Sequence, residues 1–269
     1  MSISTIRFTK MHGLGNDFVV IDTTRQSINS SMLPISKLAD RHLGIGCDQI
    51  LLIERSNKAD FFCRILNADG SEAEQCGNGL RCVARFVQEK KLIKSNKLAI
   101  ETIAGLFPIE VIDYDHIRVS IPAGEIGSEP MELQLSSPNI TVSGSAVSIG
   151  NPHFIVNVPD LESLQINTIG QAISSHPSFP QGANVGFMQI LNSGHIRLRT
   201  YERGAGATHA CGSNACAAVA TGILDGSLLP TVTVEFNDGQ LMIEWDGKDK
   251  PIHMSGPAST VFEGEISLN

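Results

Sequence analysis

The chain has 269 residues, 42% of them hydrophobic, and a formal net charge of −8. That length accommodates two domains with cores of their own. The acidic balance argues against nucleic acid or an anionic membrane surface as the main partner, since both select basic faces. Mean hydropathy is near zero, as in a globular chain. The N-terminal stretch is broken by Arg7 and Lys10, and no apolar run reaches transmembrane length, so the expected location is the cytoplasm.

In chain order, residues 6–9 read as a strand leading into a turn rich in Gly and Asn at 11–18, and 19–22 as a second strand. Residues 34–40 suit a short helix opened by Pro34. Residues 44–49 form a loop, and 50–54 and 60–66 are apolar or alternating strands. A polar loop then delivers Cys76-Gly77-Asn78-Gly79 to a mostly apolar helix ending near Glu89. Residues 98–102, 106–112 and 117–121 resemble a strand meander. The segment 122–141, rich in Pro, Ser, Gly and Glu, reads as a loose connection. Beyond it, 167–174 suit a short helix, and 184–190 and 196–201 are strands. A second glycine-rich loop delivers Cys211-Gly212-Ser213-Asn214 to a helix that is apolar nearly all round as far as Leu224, the pattern of a helix buried on every side. Strands near 231–236, 240–244 and the C-terminus complete the chain.

The two cysteine loops are related. Cys76 and Cys211 are 211 − 76 = 135 residues apart, and the same offset carries Asn16 to Asn151, Gln49 to Asn184 and Asn67 to Glu202. Four polar landmarks at one spacing indicate an internal duplication. The expected fold class is α+β: two homologous, pseudo-symmetric domains, each a mixed sheet curled around a central buried helix. Expected boundaries are 1–121 and 122–259, with a strand at about 260–269 returning to the first domain.

Six cysteines in a chain of this size make neither a disulfide scaffold nor, without any C-x-x-C, a zinc site. Cys47, Cys63, Cys82 and Cys216 lie in apolar or strand-like runs and read as small buried hydrophobes. Cys76 and Cys211 differ, since each precedes a Gly at a helix start, where unpaired N–H groups and the helix dipole favour a thiolate. If the domains face one another, N–H groups of Gly77, Asn78, Gly212 and Ser213 can hold a carboxylate, with one sulfur on each face of the adjacent carbon. One thiolate then removes the α-proton, and the other thiol reprotonates the opposite face. No Walker A loop or strand-borne G-x-G-x-x-G is present, and Gly204-Ala205-Gly206 is only a weak imitation, so no cofactor and no metal is expected.

The stretches HGLGNDF (12–18), GCDQ (46–49), NADGSEAEQCGNGLRC (67–82), GNPH (150–153), NVGF (184–187) and YERGAGATHACGSNACAA (201–218) together resemble the diaminopimelate epimerases. The resemblance covers most of the chain. It implies two similar domains, work without pyridoxal phosphate, a homodimer, and interconversion of LL- and meso-diaminopimelate for lysine and peptidoglycan synthesis. It implies Cys76 and Cys211 as acid/base thiols, with Gly77, Asn78, Gly212 and Ser213 holding the reacting carboxylate. Asn16, Gln49, Asn67, Asn151, Asn184, Glu202 and Arg203 would line the substrate site, with Arg203 on the distal carboxylate and Glu202 on the distal ammonium. His153 and Glu202 would tune the thiols.

Two positions depart from the family pattern. Ala207 stands where Glu is usual, and Asn214 where Gly is common. The expectation is that neither touches a catalytic position. A histidine after Pro152 would ordinarily sit at a surface or a strand end, as His209 is expected to. Asp69 and Glu72 read as solvated or capping residues. Two other functions compete. A proline or hydroxyproline racemase lacks a reason for the Arg203, Glu202 and Asn set. A redox sensor or metal-binding module would use the same thiols without a substrate.

Overall fold

A computed structural model of the chain describes residues 4–122, 126–247 and 249–268. It divides into two compact units, Met1–Ser120 with Gly256–Asn269, and Ile121–Ser255.

The first unit contains strands β1 (Ser4–Gly13), β2 (Asn16–Asp22), β3 (Gln49–Glu54), β4 (Phe61–Asn67), β5 (Glu72–Ala73), β6 (Lys97–Thr102), β7 (Gly105–Val111) and β8 (Ile117–Ile121), and helices α1 (Ile35–Ala39) and α2 (Gly77–Glu89). The pairings are β1–β2 antiparallel, β2–β3 parallel, β3–β4 antiparallel, β4–β6 parallel, then β6–β7 and β7–β8 antiparallel. β3 is a continuous apolar run, buried throughout its middle, while β6 alternates buried and half-buried residues. The strands β1, β2, β3, β4 and β7 all contact α2, as expected for a sheet curled on one helix. Leu80, Val83, Phe86 and Val87 of α2 are buried.

The second unit contains β9 (Ser128–Ser136), β10 (Asn139–Ser148), β11 (Pro152–Asn157), β12 (Asn184–Asn192), β13 (His195–Glu202), β14 (Gly206–Thr208), β15 (Thr231–Phe236), β16 (Gly239–Glu244) and β17 (Ile252–Gly256), with α3 (Ile166–Ser174) and α4 (Gly212–Leu224). Beginning at β10, the pairings repeat those of the first unit in order and sense. Every residue of α4 from 214 to 222 is buried, and most are Ala or Gly, so β9, β10, β11, β12 and β16 can approach it closely. Gly222 is held to its size by Leu228, whose Cγ would lie 2.5 Å from an added Cβ.

The last strand, β18 (Ser259–Leu268), pairs antiparallel with β1 over nearly its whole length. In the second unit the corresponding place beside β10 is taken by β9. The segment expected to be a loose connection is therefore largely β-structure. The composition of 122–141 concealed a period of two: Leu133 and Leu135 are both buried and join Val142, Phe154 and Phe187 in the core of the unit.

Candidate active site

In each unit the parallel pair and its antiparallel neighbour bring three landmark residues to one end of their strands. Asn16 opens β2, Gln49 opens β3 and Asn67 closes β4, with Gln49 opposite Asn67 across the ladder. In the second unit Asn151 immediately precedes β11, Asn184 opens β12 and Glu202 closes β13.

Cys76 is the N-cap of α2, and its sulfur accepts the Gly79 N–H at 3.4 Å. The same sulfur donates to Asn16 Oδ1 at 3.6 Å. Asn78 Nδ2 also donates to Asn16 Oδ1, at 3.3 Å, and Arg81 donates to Asn78 Oδ1 at 2.8 Å. Arg81 is fully buried in a helix that the sequence suggests is apolar; its Nε reaches the Pro257 carbonyl at 3.1 Å. On the other side, Asn16 Nδ2 donates to Asp48 Oδ2 at 2.9 Å. Asp48 and Asp17 share the Arg41 guanidinium, and Lys10 pairs with Asp17. Burial alone would push the Asp17 carboxyl up; the Arg41 and Lys10 charges outweigh it and hold it well below the usual carboxylate range. Gln49 Nε2 donates to Asn67 Oδ1 at 2.9 Å, and Asn67 Nδ2 to Ser71 Oγ at 2.9 Å. Asp69 braces that turn through Ser71, and Glu72 pairs with Arg64. Gln49 Oε1 is buried with no hydrogen-bond partner among the described residues.

Cys211 occupies the matching N-cap of α4 and is 6% exposed. Its sulfur lies 3.4 Å from Ser213 Oγ. Burial raises the Cys211 thiol well above its ordinary pKa, and the hydrogen-bonded Glu202 carboxylate raises it further; Ser213 and the Asn214 N–H oppose them without prevailing. Burial and Glu202 thus work against the thiolate expected at this helix mouth. Glu202 Oε1 also accepts from Thr208 Oγ1 at 2.5 Å. Gly212 and Ser213 begin α4 as Gly77 and Asn78 begin α2. Asn184 Oδ1 accepts the backbone N–H of Arg203, whose guanidinium is exposed and bonded to the Gln181 carbonyl at 2.8 Å.

His153 is a buried residue, 1% exposed, and not a surface histidine. Its Nε2 lies 2.9 Å from the Asn151 carboxamide and its Nδ1 3.0 Å from Asn214 Oδ1. Asn214 therefore reaches His153, a residue expected to tune the thiols. Ala207 lines an open cleft of about 610 Å³ with Arg199, Thr208 and His209. His209 is exposed beside Asp238. Cys47, Cys63, Cys82 and Cys216 are buried, and burial raises the first three thiols. Among the described residues, no group of three His, Cys, Asp or Glu side chains is placed to hold a metal. None of their helices is long and apolar enough to cross a membrane.

Arg81, Asp48 and Asn214 escaped the sequence reading. Asp48 sits one residue from a landmark, and Asn214 was visible only as an oddity.

This is a duplicated α+β protein in which a cysteine caps the buried helix of each half. Solved structures share the fold. The hydroxyproline epimerase from Agrobacterium vitis, crystallised with trans-4-OH-L-proline, gives a TM-score of 0.74 at 17% identity, over 98% of this chain and 93% of that one. A Bacillus anthracis phenazine biosynthesis protein of the PhzF family gives 0.75 at 17% identity, over 99% and 100%. At such identity the likeness is one of fold. Residues 8–126 and 145–261 match the diaminopimelate epimerase family model. The diaminopimelate epimerases of Nitrosomonas eutropha and Alkalilimnicola ehrlichii are each 48% identical to the chain, over 98% of it and 99% of their own length. The chain belongs to the diaminopimelate epimerase family and is an isomerase.

Proposed function

We propose that the protein interconverts LL- and meso-diaminopimelate, in lysine and peptidoglycan precursor synthesis, by two-base proton transfer between Cys76 and Cys211. The observation that carries this reading is a cysteine N-cap at the same place in both repeats, each at the N-terminus of a buried helix and with a carboxamide or carboxylate at hand.

The chemistry follows from those groups. One sulfur, as thiolate, takes the α-proton while the C–H electron pair moves toward the substrate carboxylate. N–H groups of Gly77, Asn78, Gly212 and Ser213 stabilise that developing charge. The other sulfur, still a thiol, gives its proton to the opposite face, and the stereocentre inverts. The two cysteines end with their protonation states exchanged, so turnover in one direction requires them to be reset. Glu202, hydrogen-bonded to Cys211, is the base through which that proton leaves, and His153 assists through Asn151. Gln49 Oε1, lacking a donor, suits a substrate ammonium, and Asn16, Asn67, Asn151, Asn184 and Arg203 complete the polar lining. Arg203 gives up only a carbonyl when it turns to a distal carboxylate. The protein acts in the cytoplasm as a homodimer, with no cofactor.

The test is epimerisation of LL-diaminopimelate by freshly reduced protein in D₂O without pyridoxal phosphate. Meso product carrying solvent deuterium is expected, and Cys76→Ala and Cys211→Ala should each abolish it. Folded, reduced protein that neither converts nor exchanges the substrate would remove the assignment, and proline would be tried next.

A further inference from the structure

The repeat offset exposes a place where the two halves are deliberately unlike. It pairs His153 with Phe18, Gly186 with Leu51 and Asn214 with Gly79 (153 − 18, 186 − 51 and 214 − 79 are each 135). In the first unit this triplet is apolar: Phe18 and Leu51 are fully buried, and Leu51 Cδ2 would lie 3.2 Å from a Cβ added at Gly79. In the second unit small and large have changed places. Gly186 leaves the room, and Asn214 Oδ1 would lie 3.2 Å from a Cβ added there. The space that holds Leu51 in one half holds a carboxamide in the other, and that carboxamide meets a histidine.

The bonding of this buried trio selects a protonation state. Asn214 Nδ2 donates to the Val185 carbonyl at 3.3 Å, which is an acceptor and fixes which way the Asn214 amide faces. Asn214 Oδ1 is therefore turned to His153 Nδ1, and an acceptor there requires Nδ1 to carry a proton. A neutral imidazole then has its lone pair on Nε2. Burial keeps His153 neutral at physiological pH, its pKa lowered to about 4. Among the described residues nothing comparable anchors the Asn151 carboxamide, which faces Nε2; a half-turn about its last torsion offers Nδ2 as the donor that Nε2 needs.

We infer that Asn214 is a positioning residue that locks His153 as the Nδ1–H tautomer and so aims the Nε2 lone pair at Asn151. Among the described residues only the Cys211 half carries this device. This rests on the epimerase reading for its use in catalysis, whereas the tautomer itself does not. It makes Asn151 the end of a relay, Val185 carbonyl to Asn214 to His153 to Asn151, set within the second unit alone.

The experiment is nitrogen NMR of the full chain labelled with ¹⁵N-histidine, near neutral pH, with His153 assigned by loss of its signals in His153→Gln. The wild type should show a protonated Nδ1 and an unprotonated Nε2. Asn214→Ala should lose that pattern, both nitrogens moving toward an averaged shift. A wild-type Nε2 that bears a proton, alone or together with Nδ1, overturns the inference without any variant having to fold. So does an Asn214→Ala protein that keeps the Nδ1–H signature. In the epimerase assay Asn214→Ala should lower kcat roughly tenfold or more with KM little changed; unchanged kcat beside a lost tautomer overturns the positioning role. If the wild type fails to epimerise, the reaction assignment falls and the NMR result stands by itself.

Discussion

Replacing Glu202 with Gln keeps the shape of the side chain and its bond from Thr208 but removes the charge beside Cys211. Two causes hold that thiol up, burial first and the Glu202 carboxylate second. Two unit charges about 4 Å apart at an effective dielectric near 20 interact by about 4 kcal/mol, enough for the carboxylate to matter beside burial. Side-chain relaxation and water reduce this, so the Cys211 midpoint should fall, but only in part, in Glu202→Gln. It should nevertheless remain above the ordinary thiol value of about 8.5, because burial is untouched. The assay is the pH profile of iodoacetamide alkylation, with the Cys211 peptide resolved from the Cys76 peptide by mass. A midpoint that stays put or rises would show that the carboxylate does not act on this sulfur. A midpoint at or below 8.5 would show that burial is not the larger cause.

The Lys10–Asp17–Arg41 cluster makes a prediction with the opposite sign in pH. The Asp17 carboxyl is held below its unfolded value, so its stabilisation is complete above about pH 4 and drains away as pH falls toward the folded value. Asp17→Asn should cost about 2–4 kcal/mol at neutral pH and flatten the acid limb of a urea-unfolding series; an unchanged limb would refute it. Cys47 (pushed up to about 11), Cys82 (about 12), Cys63 and Cys211 are raised thiols. The unfolded chain ionises these cysteines first, so stability should decline from about pH 8.5 upward, by up to about 1.4 kcal/mol per pH unit for each thiol. Unfolding midpoints under reducing conditions that do not move between about pH 8 and pH 10 would contradict this. Gly222→Ala gains helix propensity but drives a methyl into Leu228, and calorimetry should show a net loss of about 1–3 kcal/mol.

The duplication was legible because the polar landmarks of both halves kept one spacing, and the helices because cysteine, glycine and an apolar run announce an N-cap. β9 was not, since its outward residues are Ser, Glu, Pro and Gln and the inward alternation is short. The partners of the landmarks were harder. Arg81 lies within an apolar helix and is satisfied by a carbonyl 176 residues away. His153 and Asn214 are 61 residues apart, and nothing local to either names the other. The offset of 135 does name them, once it is applied to the apolar positions between the landmarks as well as to the landmarks.

The two edge strands set a timetable. β9 and β10 are a hairpin, joined by two residues, so the second unit carries its own edge and can close it as soon as it is made. β1 waits for β18, whose residues follow the whole of the second unit. On a ribosome, then, the earlier-made unit is the later one to finish: its first strand emerges with an open ladder and keeps it for some 250 residues of synthesis, a window in which a stray strand can dock. The exposed phenylalanine of β18, Phe262, meets Phe8 edge-on when that window shuts.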